Sequence, residues 1–143
     1  MNNRKAKVFL VDDDALYLKT LELQFKALEN FEIQTFITGE QCIENLHLQP
    51  DIIVLDYWLN GIEKNAMNGL NTLDIIKQRN ADIAVIMLSS QDSIEIAINC
   101  MHHLAMDYVV KSETAFLRLQ KIFDGIIRFK VMESELNWYM DRM

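Results

Sequence analysis

The sequence predicts an α/β domain with a doubly wound, five-stranded parallel sheet and an extended C-terminal helix. Short aliphatic runs bounded by turn residues are typical of strands that are buried on both faces. These runs alternate with segments whose apolar residues recur at helical spacing. Strands that alternate with helices imply right-handed crossovers and a parallel sheet covered by helices.

The first three elements follow from their residue patterns. Residues 7–11, Lys-Val-Phe-Leu-Val, form an apolar run that predicts a buried strand. Residues 14–28 carry apolar side chains every three or four positions, which predicts a helix, and Asp14 is expected to cap it. Residues 31–36 alternate apolar and polar side chains, so we expect a more exposed strand at a sheet edge.

The middle of the chain contains the central strand. Residues 38–48 are predicted to be a helix whose first residue, a threonine, serves as the N-cap. Residues 52–56, Ile-Ile-Val-Leu-Asp, predict a strand buried on both faces that ends on the carboxylate of Asp56. A turn region with an Asn-Gly signal, residues 57–68, then precedes a helix predicted over 69–79.

The last four elements complete the alternation. Residues 83–88, Ile-Ala-Val-Ile-Met-Leu, predict another buried strand, and Asp92 or Ser93 is expected to cap a helix that ends near residue 104. Residues 107–110 predict the fifth strand.

The remaining segment, residues 114–142, is predicted to be one helix of about 43 Å, longer than a small domain is wide. Its last turns should therefore extend beyond the sheet and serve in dimerisation or signalling, with folding back onto the domain as the alternative. We place the domain proper at residues 1–125 and the helical extension at 126–143.

Composition limits the classes of function. With 143 residues, half of them apolar, the chain suits one domain with a sizeable core. The net charge of −7 disfavours nucleic-acid binding, which requires clustered Lys and Arg. No long apolar run exists and the N-terminal residues do not resemble a signal peptide, so we expect a cytoplasmic protein without membrane contact. Cys42 and Cys100 are expected to be reduced, buried thiols.

Charged and polar side chains follow four of the predicted strands. They are Asp12 and Asp13, Asp56, Ser89, and Lys111. The carboxyl ends of parallel strands share one rim, where open α/β sheets bind their ligands. Three carboxylates there form an all-oxygen site that suits Mg²⁺. A carboxylate can also attack phosphorus to give an acyl phosphate, while a lysine and a hydroxyl neutralise phosphoryl oxygens.

This order of motifs resembles the receiver domain of bacterial two-component response regulators. The resemblance covers residues 5–125 and includes Tyr108-Val-Val-Lys111 at the fifth strand. It implies a flavodoxin-like sheet of order 2-1-3-4-5. It also implies phosphorylation by a sensor histidine kinase or a phosphotransfer protein.

The resemblance assigns a role to each site residue. Asp56 would be the phosphoacceptor, and Lys111 would contact the phosphoryl group. Ser89 would be the switch hydroxyl, and Tyr108 the aromatic side chain that turns inward in response. Mg²⁺ would be held by Asp13, Asp56 and the backbone carbonyl of Trp58, with Asp12 bound directly or through water.

Two departures from the family pattern stand beside the site. Gly69 lies five residues later than the family glycine, and Asn60 replaces a proline, which indicates an insertion in the loop after Asp56. Ser112 replaces the proline that usually follows the family lysine.

Two other functions remain open alongside the phosphorylated switch. A pseudo-receiver would bind partners without being phosphorylated. An aspartyl-phosphate phosphatase requires a second Asp two residues after the nucleophile, where this chain has Trp58. Homodimerisation is expected either through the face formed by the fourth helix, fifth strand and fifth helix, or through the extended C-terminal helix.

Overall fold

The computed structural model describes residues 4–61 and 65–143 and contains the predicted sheet. Its five strands are all parallel, in the order β2-β1-β3-β4-β5. The strands are β1 (Ala6–Val11), β2 (Phe31–Phe36), β3 (Ile52–Asp56), β4 (Ala84–Ser89) and β5 (Asp107–Val110). The helices are α1 (Ala15–Lys26), α2 (Gly39–Glu44), α3 (Gly69–Arg79), α4 (Ile94–His102) and α5 (Ala115–Arg142). The predicted fold class and the edge position of β2 are confirmed.

Helices cover both faces of the sheet and create two apolar cores. Alternate residues of β1 belong to different cores, with Val8 and Leu10 in one and Phe9 and Val11 in the other. The first core also contains residues of α1 and α5, and the second contains residues of α2, α3 and α4. This division explains why β3 and β4 are apolar at nearly every position.

The helix caps agree with the sequence patterns. The Asp14 side chain accepts a hydrogen bond from the Tyr17 amide, and Thr38 accepts one from the Gln41 amide. Of the two candidates before α4, Ser93 is the residue that caps the helix. Each cap satisfies an amide that would otherwise lack a partner in the first turn.

The prediction of one helix over residues 38–48 is wrong. Helix α2 ends at Glu44, and a 3₁₀ turn follows over Leu46–Leu48. The Asn45 amide donates to the Cys42 carbonyl, three residues back, which is the 3₁₀ pattern. Its side-chain amide also bonds the Gln41 carbonyl. Apolar spacing does not distinguish this tighter turn from a further turn of α-helix.

The last helix is continuous and extends beyond the sheet. Ala115, Leu119, Phe123 and Ile126 are buried against the domain, whereas residues 131–143 are all exposed. The alternative of folding back is therefore wrong. The two cysteines are free and buried, as expected. Across residues 4–61 and 65–143, none of the helices combines the length and the apolar character needed to cross a bilayer.

Candidate functional site

Three carboxylates meet where β1 and β3 end. Asp56 is the last residue of β3 and Asp12 directly follows β1; because Leu55 pairs with Val11, these two acids are neighbours. Both are buried, while Asp13 is half-buried. One carboxylate oxygen from each of the three acids lies within 4.8 Å of the others.

Backbone amides hold two of these side chains in place. The Asp14 amide donates to Asp12 Oδ1 at 2.9 Å, and the Trp58 amide donates to Asp56 Oδ1 at 3.2 Å. Each bond spans two residues and forms as the chain turns out of a strand. The predicted ligand role of the Trp58 carbonyl remains a prediction.

Lys111 supplies the positive charge of the site. Its Nζ lies 2.8 Å from Asp12 Oδ2 and 3.6 Å from Asp56 Oδ2. The Lys111 amide donates to the Ser89 carbonyl at 2.7 Å, which fixes the backbone at the end of β5. Burial lowers the pKa of the Lys111 ammonium, but the hydrogen bond and charge of Asp12, with the charge of Asp56, outweigh it and leave the pKa raised.

The Asp56 carboxyl has an excess of negative charge around it. Burial, together with the neighbouring charge of Asp12, raises its pKa from the ordinary 3.8 to about 7. The Lys111 charge and the Trp58 amide act in the opposite direction without cancelling these effects. A buried set of oxygen ligands with uncompensated negative charge fits a hard divalent cation. The residues present therefore match the predicted Mg²⁺ site.

Ser89 and Tyr108 lie at the same rim but make different contacts. Ser89, the last residue of β4, is fully buried, and its Oγ accepts from the Gln91 amide at 3.1 Å. Tyr108 is only 9% exposed, and its hydroxyl donates to the Gln91 carbonyl. The tyrosine ring thus occupies the inward position in this structure, and Gln91 contacts both residues. Their switch roles are not tested by this geometry.

Tyr17 is a site residue that the sequence reasoning missed. The Lys111 ammonium lies 4.7 Å from the centre of the Tyr17 ring. Burial raises the pKa of the Tyr17 hydroxyl, and Lys111 partly offsets that effect. The available signal was its place in the first turn of α1, which starts at the same rim as Asp12. The apolar spacing of that helix indicated only the residues that pack on the sheet.

The loop after Asp56 is held by a site residue near its start and by a residue of α2 near its end. Near its start the Gly61 amide donates to Asp13 Oδ2 at 3.1 Å, and near its end the Met67 amide donates to Glu40 Oε2 at 3.1 Å. Gly69 packs so tightly that a Cβ there would lie 2.5 Å from the Asp56 carbonyl oxygen. Part of the predicted insertion, residues 62–64, lies outside the described residues.

Ser112 forms a local turn in place of the family proline. Its Oγ accepts from the Thr114 amide at 3.3 Å, and its carbonyl accepts from the Ala115 amide at 3.1 Å. The chain thereby enters α5 directly after Lys111.

Comparison with known proteins identifies the family. The response regulator receiver domain family matches residues 8–122, most of the chain. The chain belongs to this family. Receiver domains typically bind Mg²⁺, are generally not catalytic enzymes, and interact with histidine kinases or phosphotransfer proteins.

Two curated relatives illustrate the similarity. The protein-glutamate methylesterase/protein-glutamine glutaminase of Clostridium acetobutylicum is 34% identical over 136 residues, which cover 92% of this chain and 38% of that protein. The transcriptional regulatory protein PrrA of Mycobacterium leprae is 31% identical over 106 residues, covering 73% of this chain and 43% of that protein. The receiver chain thus spans less than half the length of either relative.

Solved structures share the fold. The receiver domain of NtrX from Brucella abortus superposes with a TM-score of 0.72 at 24% identity, covering 85% of this chain and 98% of that one. A chain of the CheX–CheY–BeF₃–Mg²⁺ complex from Borrelia burgdorferi superposes with a TM-score of 0.71 at 26% identity, covering 84% and 88%.

Proposed function

We propose that this receiver domain is a phosphorylation-controlled switch and that Asp56 is its phosphoacceptor. One observation carries the proposal: a buried carboxylate at the end of the central strand lies beside two other acids and a lysine ammonium. A pseudo-receiver needs none of these groups, and keeping them buried without use would be costly. The phosphatase alternative lacks its second Asp, because Trp58 occupies that position.

The proposed reaction is transfer of a phosphoryl group to Asp56. An Asp56 oxygen attacks phosphorus, the P–N bond of a phosphohistidine donor breaks, and the imidazole leaves with the bonding electrons. Lys111, within 3.6 Å of Asp56, is placed to bind a phosphoryl oxygen. Asp12, Asp13, Asp56 and the Trp58 carbonyl would hold Mg²⁺, which supplies further neutralisation of the phosphoryl charge.

The proposed switch links this reaction to a surface. Phosphorylation would draw the Ser89 hydroxyl toward the new oxygens and favour the inward position of Tyr108. The tyrosine lies on β5 and bonds the Gln91 carbonyl ahead of α4, so its position affects the face formed by α4, β5 and α5. This is a two-state element biased by a local change of charge. Helix α4 also exposes Ile94 and Ile98, to which a partner could bind.

The proposed partners are a sensor histidine kinase or a phosphotransfer protein as donor, and a protein or second receiver as target. We place the receiver unit at residues 1–125 and a dimerisation or linker segment at 126–143. The cytoplasm, where such kinases present their phosphohistidine, is the proposed location.

Intact-protein mass spectrometry tests the proposal directly. The chain is incubated with Mg²⁺ and acetyl phosphate, alongside Asp56→Asn, a magnesium-free sample and Asp92→Asn as a matched change at an exposed position. We expect one added phosphoryl group in the wild type and in Asp92→Asn, and none in the other two samples.

A second experiment, with beryllofluoride, is needed if the chain accepts a phosphoryl group from its kinase but not from acetyl phosphate. Binding of beryllofluoride with Mg²⁺, measured as quenching of Trp58 fluorescence in a Trp138→Phe variant, reports on the acceptor site without a donor. Failure of both phosphorylation and beryllofluoride binding would refute the phosphoacceptor role and favour the pseudo-receiver.

A further inference from the structure

The part of α5 that extends beyond the sheet exposes large apolar side chains. Phe129, Met132, Leu136 and Tyr139 are each between 59% and 65% exposed, and Met143 is fully exposed. The first four lie on α5, whose inner face is already used by the domain, and Met143 directly follows the helix. Apolar surface of this extent on a regular helix indicates a binding face.

The spacing of these residues is that of a coiled coil. Ile122, Phe129, Leu136 and Met143 recur every seven positions, and Gly125, Met132 and Tyr139 recur every seven positions three residues later. This is a heptad pattern over three repeats, with an apolar side chain at every a and d position except Gly125. On a helical wheel this stripe lies about 120° away from the stripe that packs on the sheet, so both surfaces can be used together.

We propose that α5 forms a parallel, in-register two-stranded coiled coil with α5 of a second copy of this chain. The interface would contain Ile122, Phe129, Met132, Leu136, Tyr139 and Met143, with Gly125 at its base. This concerns a surface remote from the acidic site, and it does not depend on phosphorylation of Asp56.

Charge complementarity selects a second copy as the occupant. In the heptad frame Arg128 is at g and Glu133 is at the following e, the two positions that face each other across a parallel dimer. Five residues apart on one helix, they point in directions about 140° apart and do not meet within the chain. Neither forms an ion pair with any other residue among those described. A twofold axis would create two Arg128–Glu133 pairs at once.

The base of the helix favours close approach. A Cβ placed on Gly125 would meet nothing within 4 Å, so this d position leaves open space beside the helix. Ile122, Gly125 and Phe129 border a groove that Met106 also lines, and Met106 is 53% exposed. The apolar stripe therefore continues from the free helix onto the domain, and the second copy would cover both.

Sedimentation equilibrium over a range of protein concentrations measures the association. We expect a reversible monomer–dimer equilibrium in the wild type. Leu136→Lys should lower the association constant about tenfold or more, because it places an unpaired charge at an a position. Asn137→Lys, one residue further, about 100° around the helix and outside the a and d positions, should leave the constant unchanged. A monomeric wild type, or equal effects of the two substitutions, would overturn the proposal.

Charge reversal tests the parallel arrangement. Arg128→Glu and Glu133→Arg should each weaken self-association, and the double reversal should restore it. An equimolar mixture of the two single variants should form heterodimers, since every g–e pair in the mixed dimer is then attractive. Weakening without restoration in either experiment would refute this pairing and the parallel register.

Disulfide trapping tests the register independently. Met132→Cys should crosslink rapidly to its counterpart under mild oxidation, because identical d residues meet across a parallel dimer. Ser134→Cys, on the outer side, should crosslink slowly. The native Cys42 and Cys100 are buried and should not contribute. Equal crosslinking of the two variants would exclude the in-register coiled coil, leaving another protein as the occupant of this face.

Discussion

Replacing Asp56 by Asn should stabilise the folded protein in the absence of metal. The Asp56 carboxyl is 3% exposed, and burial with the charge of Asp12 raises its pKa from 3.8 to about 7. The folded state therefore binds this proton more tightly than the unfolded state does. By linkage, the free energy of unfolding of the wild type falls as the pH rises from about 4 to about 7.

The size of this loss of stability follows from the ordinary pKa of Asp56, 3.8, and its pKa in the folded state, about 7. Above pH 7 the charged Asp56 lowers the free energy of unfolding by about 4 kcal/mol, an upper value because water and side-chain movement in the crevice reduce it. Asn is neutral at every pH, and its Oδ1 can still accept from the Trp58 amide. The variant should therefore be more stable than the wild type near pH 8 and equally stable near pH 4.

Urea unfolding of both proteins at several pH values measures this difference. Asp124→Asn, a matched change at an exposed site on α5, should show little difference from the wild type at any pH. If Mg²⁺ binds as proposed, millimolar Mg²⁺ should stabilise the wild type more than Asp56→Asn. Equal stabilities of the wild type and Asp56→Asn near pH 8, or a difference that does not change with pH, would refute the reasoning.

Three further predictions concern neighbouring groups. Lys111→Met should lower the free energy of unfolding by about 3–5 kcal/mol, because two buried carboxylates lose their counter-charge. Urea unfolding measures this loss, with Lys121→Met as the control at an exposed position. Tyr17→Leu should slow phosphorylation by acetyl phosphate about two- to fivefold, whereas Tyr17→Phe should not, because a cation–π contact of about 0.5–1 kcal/mol needs only the ring. Equal rates in both variants would exclude a role for the ring. Gly69→Ala should destabilise the folded protein severely, since the added Cβ would clash with backbone atoms. Gly125→Ala should stabilise it by about 0.5–1 kcal/mol, because the added Cβ lies in open space within a helix. The melting temperatures of the two variants should therefore shift in opposite directions.

Local patterns predicted the elements that depend on neighbouring residues alone. The apolar runs of β1, β3 and β4 and the caps Asp14 and Thr38 are local features, and the structure places them as expected. The sheet order came from the family resemblance, since no strand pattern specifies which strand pairs with which. The 3₁₀ turn after α2 was missed because it depends on hydrogen bonds of Asn45 that leave no periodic signal.

The candidate site was likewise predictable from the sequence only in part. Asp12, Asp13, Asp56, Ser89 and Lys111 could be placed at one rim because each follows a parallel strand. The contact between Tyr17 and Lys111 could not be foreseen, because it joins the first turn of α1 to the end of β5, about ninety residues apart in sequence. The steric demand at Gly69 likewise depends on how the loop returns to the Asp56 carbonyl.

The candidate site and the last helix both depart from what would make the isolated chain most stable. Three acids at one rim raise the free energy of the metal-free folded state, and an apolar stripe on a free helix raises that of the monomer. Each departure would be relieved by a proposed binding event: a cation at the acids, and a second copy at the helix. Local features that conflict with the stability of the isolated chain thus mark the surfaces where we propose binding. The two proposed binding events lie at opposite ends of the sheet. The chain connects them through β5 and α5, since Lys111 lies four residues before the first residue of the helix that carries the heptads.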